Sequence, residues 1–221
     1  MAKVPDQILD LLFPSSCRGC GATTESLCDE CVERLIVTRA NATRFASESP
    51  VDSIDRVAWG GAYEGALKAA VLALKSGDRR MAAPPWTVMR AAAGNDPFLT
   101  SPDMVCFVPS GRKKVASRGY NQAELLAALA SRDLEAPLSR ALLKTRDTAD
   151  QDRLSGEGRR NNLAGAFRFA GRLTGESVLL VDDVLTTGST VRECALALLD
   201  AGASGVSALV CARAVLRRDS S

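Results

Sequence analysis

A chain of 221 residues with 46% hydrophobic and 24% charged side chains can bury one α/β core of ordinary size plus a small appendage, and its composition excludes wholesale disorder. A formal net charge of +2 with a pI near 8.2 is too mild to mark a nucleic-acid binder by charge alone, and aromatics at 5% leave few groups for a base-stacking platform. Histidine is absent, which excludes Ser-His-Asp triads, Cys-His pairs and imidazole metal ligands. Acid-base chemistry must therefore come from carboxylates, Lys, Tyr, Cys or the substrate itself.

No window approaches the roughly 18 apolar residues of a membrane helix. The opening "MAKVPDQILDLLFP" is broken by Asp6, Gln7 and Asp10, so it lacks a signal-peptide core. The expectation is a cytoplasmic protein without membrane insertion. In such a compartment cysteines serve as metal ligands or core thiols rather than disulfides.

In chain order the first unit is residues 1–53, an N-terminal module and linker. It carries Cys17-x2-Cys20 and Cys28-x2-Cys31, two knuckles that together offer a closed four-thiolate zinc site. So short a segment has no core of its own, and metal binding would supply on the order of 10 kcal/mol that packing cannot. A closed site leaves no open position, so it is read as structural. A short helix over residues 29–37 closes the module, and a Ser/Thr/Asn-rich run follows as linker.

Residues 54–221 form the second unit. "RVAWGGAY" reads as a strand, "EGALKAAVLALKSGD" as an amphipathic helix stopped by Gly77, and "RRMAAPPWTVMRAAAGN" as a further helix that Pro84 and Pro85 begin or interrupt. "DMVCFVPSG" is a buried strand feeding a loop, and "YNQAELLAALASRD" a helix. The polar stretch from Arg140 to Phe169 reads as a lid or arm. "ESVLLVDDV", "STVRECALALLDAGA" and "GVSALVCARAV" complete a strand-helix-strand unit with a parallel crossover. Cys106, Cys194 and Cys211 lie in apolar stretches and are expected to be core thiols. Lys75 reads first as the charged end of an amphipathic helix, with the pocket as the alternative.

The most informative segment is "VLLVDDVLTTGST", residues 178–190. Four apolar residues suit a central strand, which would end at Asp182 and Asp183, where open α/β sheets bind ligands. The loop after it enters a helix near Ser189 or Thr190, and its backbone N–H groups, hydroxyls and helix N-terminus make a phosphate cradle. Gly188 would allow close backbone approach to the ligand. Two acids beside a phosphate cup suit a ligand carrying both a phosphate and a vicinal diol, as ribose 5-phosphate does, with the acids meeting the hydroxyls directly or through Mg²⁺. The competing reading is a helix capped by Thr190 with Glu193 three residues on, and no ligand.

These thirteen residues resemble the phosphoribosyl pyrophosphate (PRPP) motif of type I phosphoribosyltransferases. With "LLFPSSCRGCG", "LCDEC", "LKSGD", "VPSG", "SRGYNQAELLA" and "KTRDTADQDRLSGEGRRNNLAGAF" in order, nearly the whole chain resembles the ComF family of competence-associated, phosphoribosyltransferase-like proteins with an N-terminal zinc module. The resemblance implies an α/β fold of the type I phosphoribosyltransferase kind: a mostly parallel sheet flanked by helices, a small hood or lid, and the four-cysteine module.

By position it implies that Asp182 and Asp183 bind ribose hydroxyls or Mg, and that Thr186, Thr187, Gly188, Ser189 and Thr190 hold the 5-phosphate. Ser110, Gly111, Arg112 and Arg118 become candidates for the pyrophosphate loop. Arg153, Arg159 and Arg160 belong to the hood, together with Arg146, Gln151 and Asn161. Zinc on Cys17, Cys20, Cys28 and Cys31 would be structural. The function implied is PRPP binding with pentosyl transfer to an unidentified acceptor and release of pyrophosphate. The alternatives are a PRPP or nucleotide sensor without transfer activity, and a factor of competence and DNA uptake that engages single-stranded DNA or an import partner.

Overall fold

The computed structural model describes residues 16–24, 27–40, 51–146 and 163–214. Among these the elements run α1 (Asp29–Ala40), β1 (Arg56–Ala62), α2 (Gly65–Ser76), α3 (Ala83–Ala93), the short α4 (Pro97–Thr100), β2 (Met104–Phe107), α5 (Arg112–Arg118), α6 (Gln122–Asp133), β3 (Leu142–Lys144), β4 (Phe167–Phe169), β5 (Ser177–Leu185), α7 (Ser189–Asp200) and β6 (Gly205–Arg213). Four strands pair in parallel in the order β1-β6-β5-β2, and β3 pairs antiparallel with β4 in a separate ribbon. This is an α/β fold with a mostly parallel sheet between helices. The prolines open α3 in its first turn, where the missing N–H has no partner to lose.

Alternation along the central strands divides the core into two layers. Leu179 and Val181 of β5, with Leu209 and Cys211 of β6, face α2, α3 and α6. Val178 and Leu180, with Val206, Ala208 and Val210, face α7 and the β3–β4 ribbon. All three core cysteines, Cys106, Cys194 and Cys211, are buried as expected. The cysteine module has no layer of its own: Cys17, Leu27 and Cys31 join the first layer beside Ala58 and Trp86.

Three features depart from the sequence expectation. Strand β5 does not stop before the acids but runs on to Leu185, because β6 continues to pair with it through Asp182↔Val210 and Leu185↔Arg213. The polar stretch after Arg140 is not all arm, since its two ends form the β3–β4 ribbon and bury Leu142 and Phe167. Residues 112–118, which carry the loop candidates Arg112 and Arg118, form a helix ended by Gly119 at φ 79°. The hood candidates Arg153, Arg159 and Arg160, with Gln151 and Asn161, lie outside the described residues.

Candidate functional site

A cleft of about 640 Å³ opens over the C-terminal ends of the parallel strands. Tyr63 follows β1, Pro109, Ser110 and Gly111 follow β2, Asp182 and Asp183 lie in β5, and Ala214 follows β6; all line it. Lys75, Lys113, Lys114, Arg118, Gln122, Lys144, Thr186 and Thr190 complete most of its wall. Carboxylates, hydroxyls and cations thus meet at one sheet edge.

The paired acids are not equivalent. Neighbours in a strand point to opposite faces, so Asp183 shares the face of Leu179 and Val181 while Asp182 shares that of Leu180. Asp183 is 6% exposed. Its Oδ2 accepts from Gln122 Nε2 at 3.0 Å and lies 2.9 Å from Lys75 Nζ. Burial draws the Lys75 ammonium pKa down, but the Asp183 carboxylate, with smaller help from Tyr63 and Asp182, more than offsets this and holds it above the usual lysine value. Asp182 has no cation at hydrogen-bond distance among the described ion pairs, and its Oδ1 accepts from the Asp183 N–H at 2.8 Å. Desolvation, then the neighbouring Asp183 charge, pushes its carboxyl well above the ordinary range. The structure therefore brings Lys75 into the site, against its first reading as a mere helix end.

The loop after β5 enters α7 with Gly188 as its N-cap at φ 79°. A Cβ there would sit 2.6 Å from Val51 Cγ2, so the left-handed backbone and Val51 already require glycine at this position. The Thr187 and Ser189 hydroxyls bond each other at 2.9 Å, and Ser189 N donates to Thr187 Oγ1 at 3.4 Å. Thr186 and Thr190 face the cleft. The Thr190–Glu193 capping box does not form: Thr190 lies inside the helix, and Glu193 Oε2 instead accepts from Gly165 N at 3.1 Å.

The segment "RGYNQ" organises the opposite wall, one residue at a time. Asn121 caps α6 through Ala123 N at 3.1 Å, donates to Val108 O at 2.9 Å and accepts from Ser110 Oγ at 3.2 Å. That clamps the loop after β2. Tyr120, under the guanidinium of Arg79 at 4.8 Å, donates its hydroxyl to Leu74 O in the last turn of α2. Arg118 donates to Gln122 Oε1 at 3.1 Å, which leaves the amide nitrogen of Gln122 to meet Asp183. Sequence reasoning missed Gln122, Asn121, Tyr63, Lys144 and Phe167. The available signal was two polar residues, Asn121 and Gln122, opening an otherwise Ala/Leu-rich helix.

Beyond the 109–112 loop lies a second groove of about 470 Å³, lined by Arg112, Lys144, Arg146 and Arg168 with no acidic residue among the described residues. Arg112 faces this groove rather than the cleft. Arg146 donates to Ala164 O at 2.6 Å across the ends of the ribbon.

Away from the cleft, Cys17, Cys20, Cys28 and Cys31 bring their four sulfurs within 4.8 Å of one another. Tetrahedral zinc with Zn–S near 2.3 Å wants sulfurs about 3.8 Å apart, and Cys20 and Cys28 stand at 3.6 Å. Gly19 N and Cys28 N donate to Cys17 Sγ at 3.3 and 3.4 Å. Burial alone would raise the Cys17 pKa, but backbone donors led by Cys28 bring it down to about 6, a thiolate at neutral pH. A Cβ on Gly19 would lie 2.7 Å from Cys31 Sγ, so the knuckle is shaped around the sulfurs. The four ligands fit a metal ion such as zinc.

No family model matches the chain. It is 43% identical over 109 residues to DNA utilization protein YhgH of Escherichia coli strain K12, covering 49% of this chain and 48% of that protein. The corresponding protein of Salmonella typhi is 39% identical over the same length. Competence protein F of Haemophilus influenzae is 38% identical over 120 residues, 52% of each chain. The chain spans about half the length of the curated relatives it matches. The competence-associated resemblance read from the motifs is thus matched by homologues of those names. No helix among the described residues is long and apolar enough to cross a membrane.

Proposed function

We propose that the cleft binds a ribose 5-phosphate moiety, as in PRPP, and supports pentosyl transfer with pyrophosphate as the leaving group. The observation that carries this reading is the meeting, in one cleft, of Thr186 and Thr190 at the two ends of the loop into α7, the Asp182 and Asp183 carboxylates, and the Ser110–Gly111 loop with Arg118 and Lys113 beyond it. The loop and helix end suit the 5-phosphate, the acids accept from the 2- and 3-hydroxyls, and the cationic wall suits the departing pyrophosphate. In transfer the acceptor's lone pair forms the new bond to the anomeric carbon as the bond to the pyrophosphate oxygen breaks. Residues 1–53 would act as the metal-held module and residues 54–221 as the ligand-binding unit.

The test is titration of PRPP into the full chain and into Asp182→Ala, followed by assay of pyrophosphate release across a panel of bases. Binding by the parent that weakens more than about tenfold in the variant, a loss of roughly 1.4 kcal/mol, supports the reading. Equal, negligible binding by both overturns it. Binding without turnover supports the sensor.

A second reading, handling of single-stranded nucleic acid in DNA utilization or competence, is favoured by the gathering of Arg112, Lys144, Arg146 and Arg168 in one groove and by the names of the relatives. Its expected mark is single-strand binding that weakens steeply with salt and is lost in Arg112→Glu with Arg168→Glu. Salt-independent binding, or none, removes it.

A further inference from the structure

Two adjacent carboxylates beside a phosphate site invite a divalent cation, and the resemblance to phosphoribosyltransferases suggests Mg. The residues present do not make that site between the acids. Mg²⁺ needs oxygens at about 2.0–2.1 Å in near-octahedral order, whereas Asp182 and Asp183 leave opposite faces of the same strand. One Asp183 oxygen is already taken, with Lys75 Nζ at 2.9 Å and Gln122 Nε2 at 3.0 Å on the same Oδ2.

Both of those partners are held in place by the fold. Lys75 lies in the last turn of α2, whose Leu67, Ala70, Val71 and Leu74 are buried. The Tyr120 hydroxyl ties the preceding Leu74 carbonyl, and Ser76 Oγ donates to Ala73 O at 2.9 Å. A cation at a helix C-terminus is also favoured by the helix dipole. Gln122 has its amide orientation set by Arg118 on its oxygen. A fixed ammonium and a fixed amide donor therefore converge on one buried carboxylate that lines the cleft.

Resting on the ribose-phosphate reading, we propose that Lys75 supplies the positive charge that a divalent ion would otherwise bring to Asp183. Its ammonium, 2.9 Å from Oδ2, balances the charge of that buried carboxylate and holds it in place as a hydroxyl acceptor, so the ribose-phosphate end of the ligand binds without a metal. Lys75 is a positioning residue here: it acts on the ligand through Asp183. Any divalent ion then enters on the diphosphate of the ligand and not on the acid pair.

The experiment measures ribose 5-phosphate binding to the full chain in buffer freed of loosely held divalent ions and again with millimolar Mg²⁺. Ribose 5-phosphate has no diphosphate, and Mg²⁺ pairing with its single phosphate acts alike on wild type and variants, so a Mg²⁺ response confined to the neutral variant reports on the acid pair. The expected result is a wild-type Kd that Mg²⁺ changes by less than about threefold. Lys75→Met should bind more than about tenfold more weakly without Mg²⁺ and recover when it is added, while Lys75→Arg should stay independent of Mg²⁺. Should the methionine variant fail to give the wild-type circular dichroism spectrum, Lys75→Gln takes its place in the same comparison. Wild-type binding that requires Mg²⁺, or a neutral variant that binds like wild type without it, overturns the proposal. Absence of ribose 5-phosphate binding by every variant under both conditions overturns the ribose-phosphate reading beneath it.

Discussion

The cysteine module and the cleft wall are both gatherings of polar groups, yet they are held by opposite means. Around Cys17 and Cys31 the backbone bends to suit the sulfurs, through a knuckle whose glycine leaves no space for a side chain. At the cleft the backbone is dictated by the sheet and its two apolar layers, and the polar groups of β5 are carried to its edge. The difference teaches where order comes from. The module lends three residues to the first layer and gathers four thiols that fit an ion, whereas the cleft stands on apolar burial and tolerates charge.

That contrast can be broken most forcefully at the metal. Cys31→Ser removes a buried ligand, and loss of a structural metal belongs among the largest single-site effects, about 4 kcal/mol or more. At roughly 2–4 °C per kcal/mol for a chain of this size, Tm should fall by about 8–16 °C, and metal analysis should read well under one equivalent. A variant that keeps both its metal and its Tm would show that packing alone holds the module.

The next effect is expected at Gly188. Alanine there meets a left-handed backbone and Val51 together, so Gly188→Ala should cost about 1–3 kcal/mol by denaturant unfolding. Adding Val51→Ala should relieve the steric part and leave the backbone part. Full recovery in the double variant would assign the whole cost to Val51.

A smaller effect of opposite sign is expected at Asp182. Its carboxyl is raised in the folded state, so between the ordinary carboxylate value near pH 4 and that raised value the native state holds more proton than the unfolded chain. Stability should fall as pH climbs through this window. Asp182→Asn removes the penalty, keeps an oxygen for the Asp183 N–H, and should stabilise the protein by about 1 kcal/mol at neutral pH while weakening ribose 5-phosphate binding. Thermal unfolding from pH 4 to 8 checks it. An unchanged pH profile in the variant would place the titration elsewhere.

The smallest effect returns to the module surface. Arg34 and Glu30 pair at 2.6 Å, but both are mostly exposed, and such pairs contribute about 0.3–0.5 kcal/mol. Arg34→Ala should barely move Tm and leave the metal content intact. A large loss would mean that the surface pair, and not the ion, organises α1.

Much of this molecule was legible before folding. The four cysteines lie within fifteen residues, so their spacing alone points to a metal-binding cluster. The strand-loop-helix around Asp182 was legible because an apolar run, two acids and a hydroxyl loop are consecutive. The β3–β4 ribbon was not, because three-residue strands separated by a long polar stretch have no readable period. Nor was the end of β5, since pairing with β6 rather than local hydrophobicity extends it through the acids.

The amino-acid order by itself determined the four-cysteine cluster and the parallel core, because each is written in neighbouring residues. Only the tertiary structure decided that the two acids differ. Lys75, Gln122 and Asp183 come from α2, α6 and β5, and they meet only when both helices pack on one face of the sheet. A carboxylate takes its character from the charges and donors around it in space, and those partners lie 61 and 108 positions away along the chain.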